Sequence, residues 1–252
     1  MPRLILVRHG ESRWNKDNKF TGWVDVPLSA IGIQEALICG EKLKGLDIDV
    51  AFTSRLERAR ETLLLILAAQ NKTGIFLHEK GLRRQWSKHN HGVLFDKKHE
   101  IPVFSSDKIN ERYYGALQGM DKDAARKKWG HDQVFMWRRG YDINPPRGES
   151  LKDVYRRAIP CFRKEIVSHL RRGKNVLVSA HGNSLRGIVK HIENISDKDI
   201  PHLELPYATP IVYGYKDGEL SKEDHTHSFD RPLHWQKQQR HQKKTGKAKK
   251  KH

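Results

Sequence analysis

LILVRHGESRWN, residues 4–15, runs an apolar strand straight into an arginine, a histidine and a glycine. NVLVSAHGNS, residues 175–184, does nearly the same. In parallel α/β sheets ligands gather outside the carboxyl ends of strands, and both exits lie just past such ends. The two strand–His–Gly exits therefore point to a site.

Working outward, apolar runs of strand length alternate with helical patterns. RLILV (3–7), DVAFTS (49–54) and GIFLH (74–78) read as strands. A helix is expected from Ser29 as N-cap, with Ile33, Ala36, Leu37, Gly40 and Leu43 on one face, and another over 55–70. Residues 150–172 read as a long helix begun by Ser150 and kinked by Pro160, which lacks a backbone donor. Then come a strand at 175–180, a helix from Ser184, and a last strand, IVYGY (211–215), closed by the turn Lys216-Asp217-Gly218. Alternation of this kind predicts an α/β fold of three layers, a mainly parallel central sheet with helices on both faces.

At 252 residues the chain is sized for one sizeable α/β domain. No window approaches the roughly 18 uncharged apolar residues of a membrane span, and the amino-terminal run lacks the length and cleavage site of a signal peptide. Two distant cysteines, Cys39 and Cys161, suggest reduced, buried thiols and a cytoplasmic protein. The net charge is +18, but residues 231–252 alone carry nine Lys/Arg and no Asp/Glu, so half the excess sits in a tail with little to bury. That tail, 221–252, reads as disordered and solubilising, with nucleic acid bound only non-specifically, if at all. Residues 1–220 form the expected catalytic domain. Within it, 79–101 is a polar, basic stretch without sustained period, read as an insertion. Its histidines His89, His91 and His99 read as solvated loop residues ahead of a zinc site.

Arg8, His9 and Gly10 at one exit are followed by Ser12, Arg13 and Asn15; His181, Gly182 and Asn183 at the other by Ser184 and Arg186. Glycine after histidine allows a sharp turn and leaves amides open to an anion. One such tripeptide would read as structural, whereas two, both rich in phosphate donors, point to function. Neither supplies further ligands for a metal.

RHGESRWN, FTGWVDVPLSAIG (20–32), TSRLERARET (53–62), INERYYGALQGMDK (109–122), MWRRGY (136–141) and SAHGNSLR (179–186), in this order, resemble the cofactor-dependent phosphoglycerate mutases of the histidine phosphatase superfamily. The resemblance covers about residues 3–215, interrupted by 79–101. It implies interconversion of 3- and 2-phosphoglycerate, primed by 2,3-bisphosphoglycerate, without a metal, in a dimer or tetramer that does not engage a membrane. His9 would be the phosphoryl-accepting nucleophile, with Arg8, Arg58 and His181 around the transferring group. Glu111 would be the general acid/base. Asn15 would donate from its amide, and Ser12, Thr21, Gly22, Gly182 and Asn183 would add further contacts. Lys122, Arg138, Arg139, Arg112, Tyr113 and Tyr114 would hold the rest of the substrate. In this picture the two strand exits form opposite walls of one pocket. Two alternatives stand beside it: a phosphatase using the same phosphohistidine, and a non-enzymatic nucleic-acid binder built on the basic tail. The paired Arg138-Arg139 with Lys122 favour a small substrate held at two anionic ends. The intact set of catalytic residue types disfavours the binder.

Overall fold

In the computed structural model the described residues are 1–77, 96 and 98–223. A seven-stranded sheet runs through them in the order β3-β4-β2-β5-β1-β6-β7. The strands are β1 (Arg3–Arg8), β2 (Val50–Thr53), β3 (Thr73–Leu77), β4 (Glu100–Ser105), β5 (Val176–Ala180), β6 (Pro210–Lys216) and β7 (Glu219–Lys222). The first five are mutually parallel, while β6 runs antiparallel to β1 and β7 antiparallel to β6.

The helices are α1 (Arg13–Lys16), α2 (Ala30–Lys42), α3 (Glu57–Ala68), α4 (Lys122–Trp129), α5 (His131–Arg139), α6 (Leu151–Cys161), α7 (Val167–Arg171) and α8 (Gly182–Glu193). Alternate strand residues serve opposite layers. Leu4 and Leu6 of β1 join a core with Val176, Val178, Ile159 of α6 and Ile188 of α8. Ile5 and Val7 join a second core with Leu177, Cys39 of α2 and Leu63 and Ile66 of α3. A one-residue slip of β1 would exchange the two sets, so both faces fix its register. The expected three-layer α/β architecture is present.

Several local expectations need correction. Ile33 is 40% exposed, and the buried face of α2 is Gly32, Ala36, Cys39 and Gly40. Small residues win there because a Cβ at Gly32 would lie 2.0 Å from the Glu11 carbonyl oxygen, and one at Gly40 2.7 Å from that of Ile66. The expected insertion runs too far, because Glu100 and Ile101 already belong to β4. Beyond Ile101 this strand was not foreseen, nor was β7, whose Ser221 and Lys222 fall in the stretch read as a disordered tail; residues 224–252 of that stretch lie outside the described residues. Helix α8 starts at Gly182, two residues before Ser184, with His181 as its N-cap residue. Two residues after Pro160 the helical bonding widens to a π-helical stretch, Phe162–Ile166, before α7 continues the rod.

Between β4 and α6 the chain leaves the sheet and builds a cap over its carboxyl-terminal edge. Phe20, Leu117, Ala125, Val134 and Trp137 give that cap a small core of its own. It is tied to the loop after α1 by Phe20 N–H to the Met120 carbonyl (2.9 Å) and Lys122 N–H to the Asn18 carbonyl (2.9 Å). This pairing brings Thr21, Gly22 and Lys122 to one rim.

Candidate active site

Strands β1 and β5 are neighbours, with Arg8 opposite Ala180, and the His9 N–H donates to the Ala180 carbonyl at 2.9 Å. The two exits therefore lie side by side, not as opposite walls. Ring centroids of His9 and His181 are 5.0 Å apart. Gly10 is required by close approach: a Cβ there would meet the Gly32 carbonyl oxygen at 2.4 Å. Gly22, at φ +58°, does occupy the left-handed region and offers its carbonyl to Arg58.

His9 is buried, and its Nδ1 lies 2.7 Å from the Gly10 carbonyl oxygen. A carbonyl only accepts, so Nδ1 carries the proton and the lone pair sits on Nε2. Arg58 Nε donates to that Nε2 at 3.3 Å. Burial first, then the Arg58 and Arg8 guanidiniums, hold the His9 pKa well below its ordinary 6.5. The imidazole is thus kept neutral and aimed. Arg58 is itself aimed by the carbonyls of Gly22 (2.8 Å) and Val24 (3.1 Å), and burial lowers its pKa to about 10. His181 is wholly buried behind His9; its Nε2 meets Ser54 Oγ at 2.6 Å and its Nδ1 has no partner. Burial, followed by Arg58 and His9, depresses its pKa too.

Glu111 is also buried, 8% exposed. Its Oε1 accepts from the Arg112 backbone N–H (2.6 Å) and Asn183 Nδ2 (2.7 Å). Its backbone carbonyl accepts from Trp23 Nε1 (2.5 Å) and Arg157 Nη2 (2.9 Å). Arg157 is in turn held by both carboxylate oxygens of Glu149 at 2.9 Å. Main chain and one carboxylate oxygen, Oε1, are fixed, and the other, Oε2, takes no such bond.

One cleft gathers Arg8, His9, Asn15, Thr21, Gly22, Arg58, Glu111, Tyr114, Lys122, Arg138, Arg139, Gly182 and Asn183 from the expected set. It also takes in Lys19, Phe20, Arg186, Glu204, Leu205 and Tyr207. Arg8 donates to the Leu205 carbonyl at 2.8 Å, and its guanidinium lies 4.0 Å from the Tyr207 ring centroid. Asn15 accepts from Ser12 through Oδ1, so its amide nitrogen is the end left free. Burial first, then Arg138 and Arg8, lower the Lys122 pKa to about 8.

Four expected residues do not line the cleft. Ser12 is buried as the N-cap of α1, where its hydroxyl closes a capping box with Asn15. Tyr113 is 39% exposed and packs edge-on against Trp23. Arg112 is wholly buried beneath Tyr114 and donates to the Arg138 carbonyl. His181 stands behind His9. Of the cleft residues missed, Arg186 belongs to a block already singled out, HGNSLR. Glu204, Leu205 and Tyr207 carry no local signal and arrive through the loop before β6. Of the three histidines considered for zinc, His89 and His91 lie outside the described residues, and His99 is exposed and bonded to Asp96. No cluster of three potential metal ligands occurs among the described residues. Nor is any described helix long and apolar enough to cross a membrane.

Seven lysines and arginines face two carboxylates in this cleft. Polar atoms of residues lining it are buried without partners, Arg8 Nε and Thr21 Oγ1 among them. Such atoms ordinarily find acceptors, and a multiply charged anion supplies them. A neutral imidazole within a cationic ring is the arrangement that a phosphoryl-accepting histidine requires. In agreement, residues 4–83 and 92–227 match the model of the histidine phosphatase superfamily (branch 1), and the chain belongs to that family. Among its relatives is the 2,3-bisphosphoglycerate-dependent phosphoglycerate mutase of Methanosarcina acetivorans, 49% identical over 237 residues, covering 89% of this chain and 96% of the relative. The protein of the same name from Chlamydia muridarum is 45% identical, covering 88% and 97%. Among solved structures, Bacillus stearothermophilus YhfR has a TM-score of 0.69 at 22% identity, over 88% of this chain and 95% of that one. A protein described as mycobacterial hydrolase 1 has the same score at 18% identity, covering 89% and 98%. These last two share the fold.

Proposed function

We propose that the protein is a 2,3-bisphosphoglycerate-dependent phosphoglycerate mutase, interconverting 3- and 2-phosphoglycerate through a phosphorylated His9. The observation that carries this reading is the pairing of a neutral, aimed His9 with a second cationic cluster, Lys122, Arg138 and Arg139, lining the same cleft. A phosphatase needs to grip only the transferring phosphoryl group. A mutase must hold a small substrate at both ends while it is rephosphorylated.

The unpartnered atoms fit a doubly anionic ester, and when bound, 2,3-bisphosphoglycerate supplies the phosphoryl group that primes the enzyme. Arg8, Arg58, Asn15 and the Gly182 amide would hold the phosphoryl oxygens near His9. Thr21 and the amides around Gly22 and Asn183 would line the rest of the path, with Tyr114 beside the Lys122–Arg138–Arg139 end. His9 Nε2 attacks phosphorus; the P–N bond forms as the P–O ester bond breaks, and Glu111 gives its proton to the departing oxygen. In the reverse sense Glu111 takes the proton from the substrate hydroxyl as that oxygen attacks phosphohistidine. The arginines stabilise the charge spread over the equatorial oxygens. His181, outside the cleft lining, would back the His9 ring, their centroids 5.0 Å apart.

The roles of Ser12, Arg112 and Tyr113 in this scheme are indirect. Each holds a residue or turn that reaches the cleft. In keeping with the family, a homo-oligomeric, cytoplasmic enzyme is proposed, its assembly to be read by light scattering.

The test is a 3-phosphoglycerate isomerisation assay with and without 2,3-bisphosphoglycerate, EDTA present, beside His9→Ala. Primer-stimulated, chelator-resistant turnover that disappears in the variant is expected. Release of phosphate from several esters without isomerisation would refute the mutase reading and leave a phosphatase.

A further inference from the structure

Arg186 lines the cleft, yet two of its three guanidinium nitrogens are already committed to protein. It is 4% exposed on the second turn of α8. Nη1 donates to Asn183 Oδ1 at 3.1 Å. Nη2 donates to the Arg139 carbonyl at 3.2 Å and to the Ile200 carbonyl. One planar fork thus joins α8, the end of α5 and the turn after α8.

The contact with Asn183 decides which way that amide faces. With Oδ1 held by a cation, Nδ2 must point to the other side, and there it donates to Glu111 Oε1 at 2.7 Å. Without Arg186, only Glu111 Oε1 and, at 3.5 Å, the Tyr114 hydroxyl engage the amide, through Nδ2 alone. The amide then holds Oε1 less firmly, and the carboxylate gains freedom to swing. The contact with the Arg139 carbonyl acts on the other half of the site, because that carbonyl ends the helix carrying Arg138 and Arg139.

We propose that Arg186 is a positioning residue that locks the Asn183 amide so that Glu111 is held for proton transfer. The inference rests on Glu111 acting as the general acid/base. The partners of the Arg186 guanidinium are neutral oxygens, which orient a cation without cancelling its charge. A merely space-filling residue here would be cheaper as an apolar side chain, since burying a cation carries a desolvation cost.

A substrate pair separates positioning of the proton donor from general damage. Isomerisation needs a proton moved to and from an alkyl oxygen. Phosphoryl transfer from p-nitrophenyl phosphate does not, because its leaving group departs unprotonated. In Arg186→Met, kcat for 3-phosphoglycerate isomerisation should fall on the order of 100-fold, the low end of what a general acid supplies. The aryl phosphate reaction should fall less than tenfold, and KM for 3-phosphoglycerate should change less than threefold. Arg186→Lys, which restores a donor to Asn183 but not the fork, should recover at least half of the lost kcat on a logarithmic scale. If Arg186→Met does not fold, Arg186→Lys carries the test alone, with isomerisation still reduced more than aryl turnover. Equal loss of both reactions, or no loss in either, overturns the proposal. A rise in KM at constant kcat overturns it too, by making Arg186 a substrate contact. Should the unaltered protein fail to isomerise, the mutase reading fails separately. The same contrast, run as hydrolysis of glycerol 2-phosphate against p-nitrophenyl phosphate, then still tests Arg186.

Discussion

Keeping two imidazoles neutral inside a ring of cations has a stability consequence that can be worked out. His9 is 3% exposed and His181 wholly buried, and both pKa values are pushed down, by burial first and then by Arg58. In the unfolded chain each titrates near 6.5. As pH falls below 6.5 the unfolded state therefore takes up protons that the native state refuses, and stability drops. Between pH 7.5 and 5.5 a histidine that stays neutral in the native state removes up to about 1.4 kcal/mol, and the pair up to about 2.7 kcal/mol. With a urea slope of roughly 2–3 kcal/mol/M, this displaces the unfolding midpoint by up to about 1 M. Carboxylates and the half-buried His169 and His191 add their own dependence, so the measurement is a difference. Urea unfolding of the unaltered protein and of the His9→Gln/His181→Gln double variant would be followed by fluorescence at both pH values, without phosphate. The double variant should lose up to about 1 M less midpoint over this interval. Equal displacement in the two proteins would show that these imidazoles protonate in the native state, and would remove the argument for a neutral nucleophile held by burial and Arg58.

Other consequences are open to simpler tests. Lys122, with its pKa lowered to about 8, should lose its charge as pH rises from 7 to 9. KM for phosphoglycerate should then climb several-fold in the unaltered protein and stay flatter in Lys122→Arg; a KM independent of pH in the former would remove Lys122 from the clamp. Gly10→Ala would place a methyl group 2.4 Å from the Gly32 carbonyl oxygen, backbone against backbone. It should cost on the order of 2–4 kcal/mol in thermal or denaturant unfolding, and a cost below 0.5 kcal/mol would refute that close approach. Cys39 and Cys161 are both buried, with thiol pKa values pushed up to about 12. Neither should react with a thiol reagent in minutes until the protein is unfolded, when both should.

What could be read from the sequence was whatever local chemistry decides. Ser29 and Ser150 cap their helices with the expected side-chain bonds, because capping depends on three or four neighbouring residues. Strands β1 and β5 were legible as apolar runs buried on both faces. Strand β4 was not, since EIPVFS follows a polar stretch, contains Pro102 and gains its identity only by lying between β2 and β3. Strand β7, ELSK, has no apolar alternation and exists by pairing with β6. The misassigned face of α2 follows the same division. Periodicity favoured the larger Ile33, but the helix turns its glycines inward because Gly32 must pass close to Glu11 and Gly10. In the site, Arg8, His9 and Gly182 reach the cleft from a strand end or a helix start, whereas Ser12 and His181, similarly placed, stay outside its lining. Tyr207 and Glu204 were invisible because only the long return from α8 to β6 brings them over Arg8 and Arg139.

The cleft also shows how cations can be aimed without being spent. Arg58 is held by the carbonyls of Gly22 and Val24, and Arg8 by that of Leu205. Neutral carbonyls fix the direction of a guanidinium and leave its charge for a ligand, whereas a carboxylate partner would have to be displaced first. Arg139 is the exception, paired with Glu204, and that carboxylate is largely exposed to solvent. Paired at the solvent-exposed rim, Arg139 can exchange a surface counter-ion for the substrate's own anion at little electrostatic cost. Beside His9 the opposite arrangement prevails. There Arg58 faces His9 with its charge uncompensated by a paired carboxylate, and after burial it is the next cause of the lowered imidazole pKa. Under the proposed mechanism that one guanidinium helps keep the nucleophile neutral and also draws the phosphate to it.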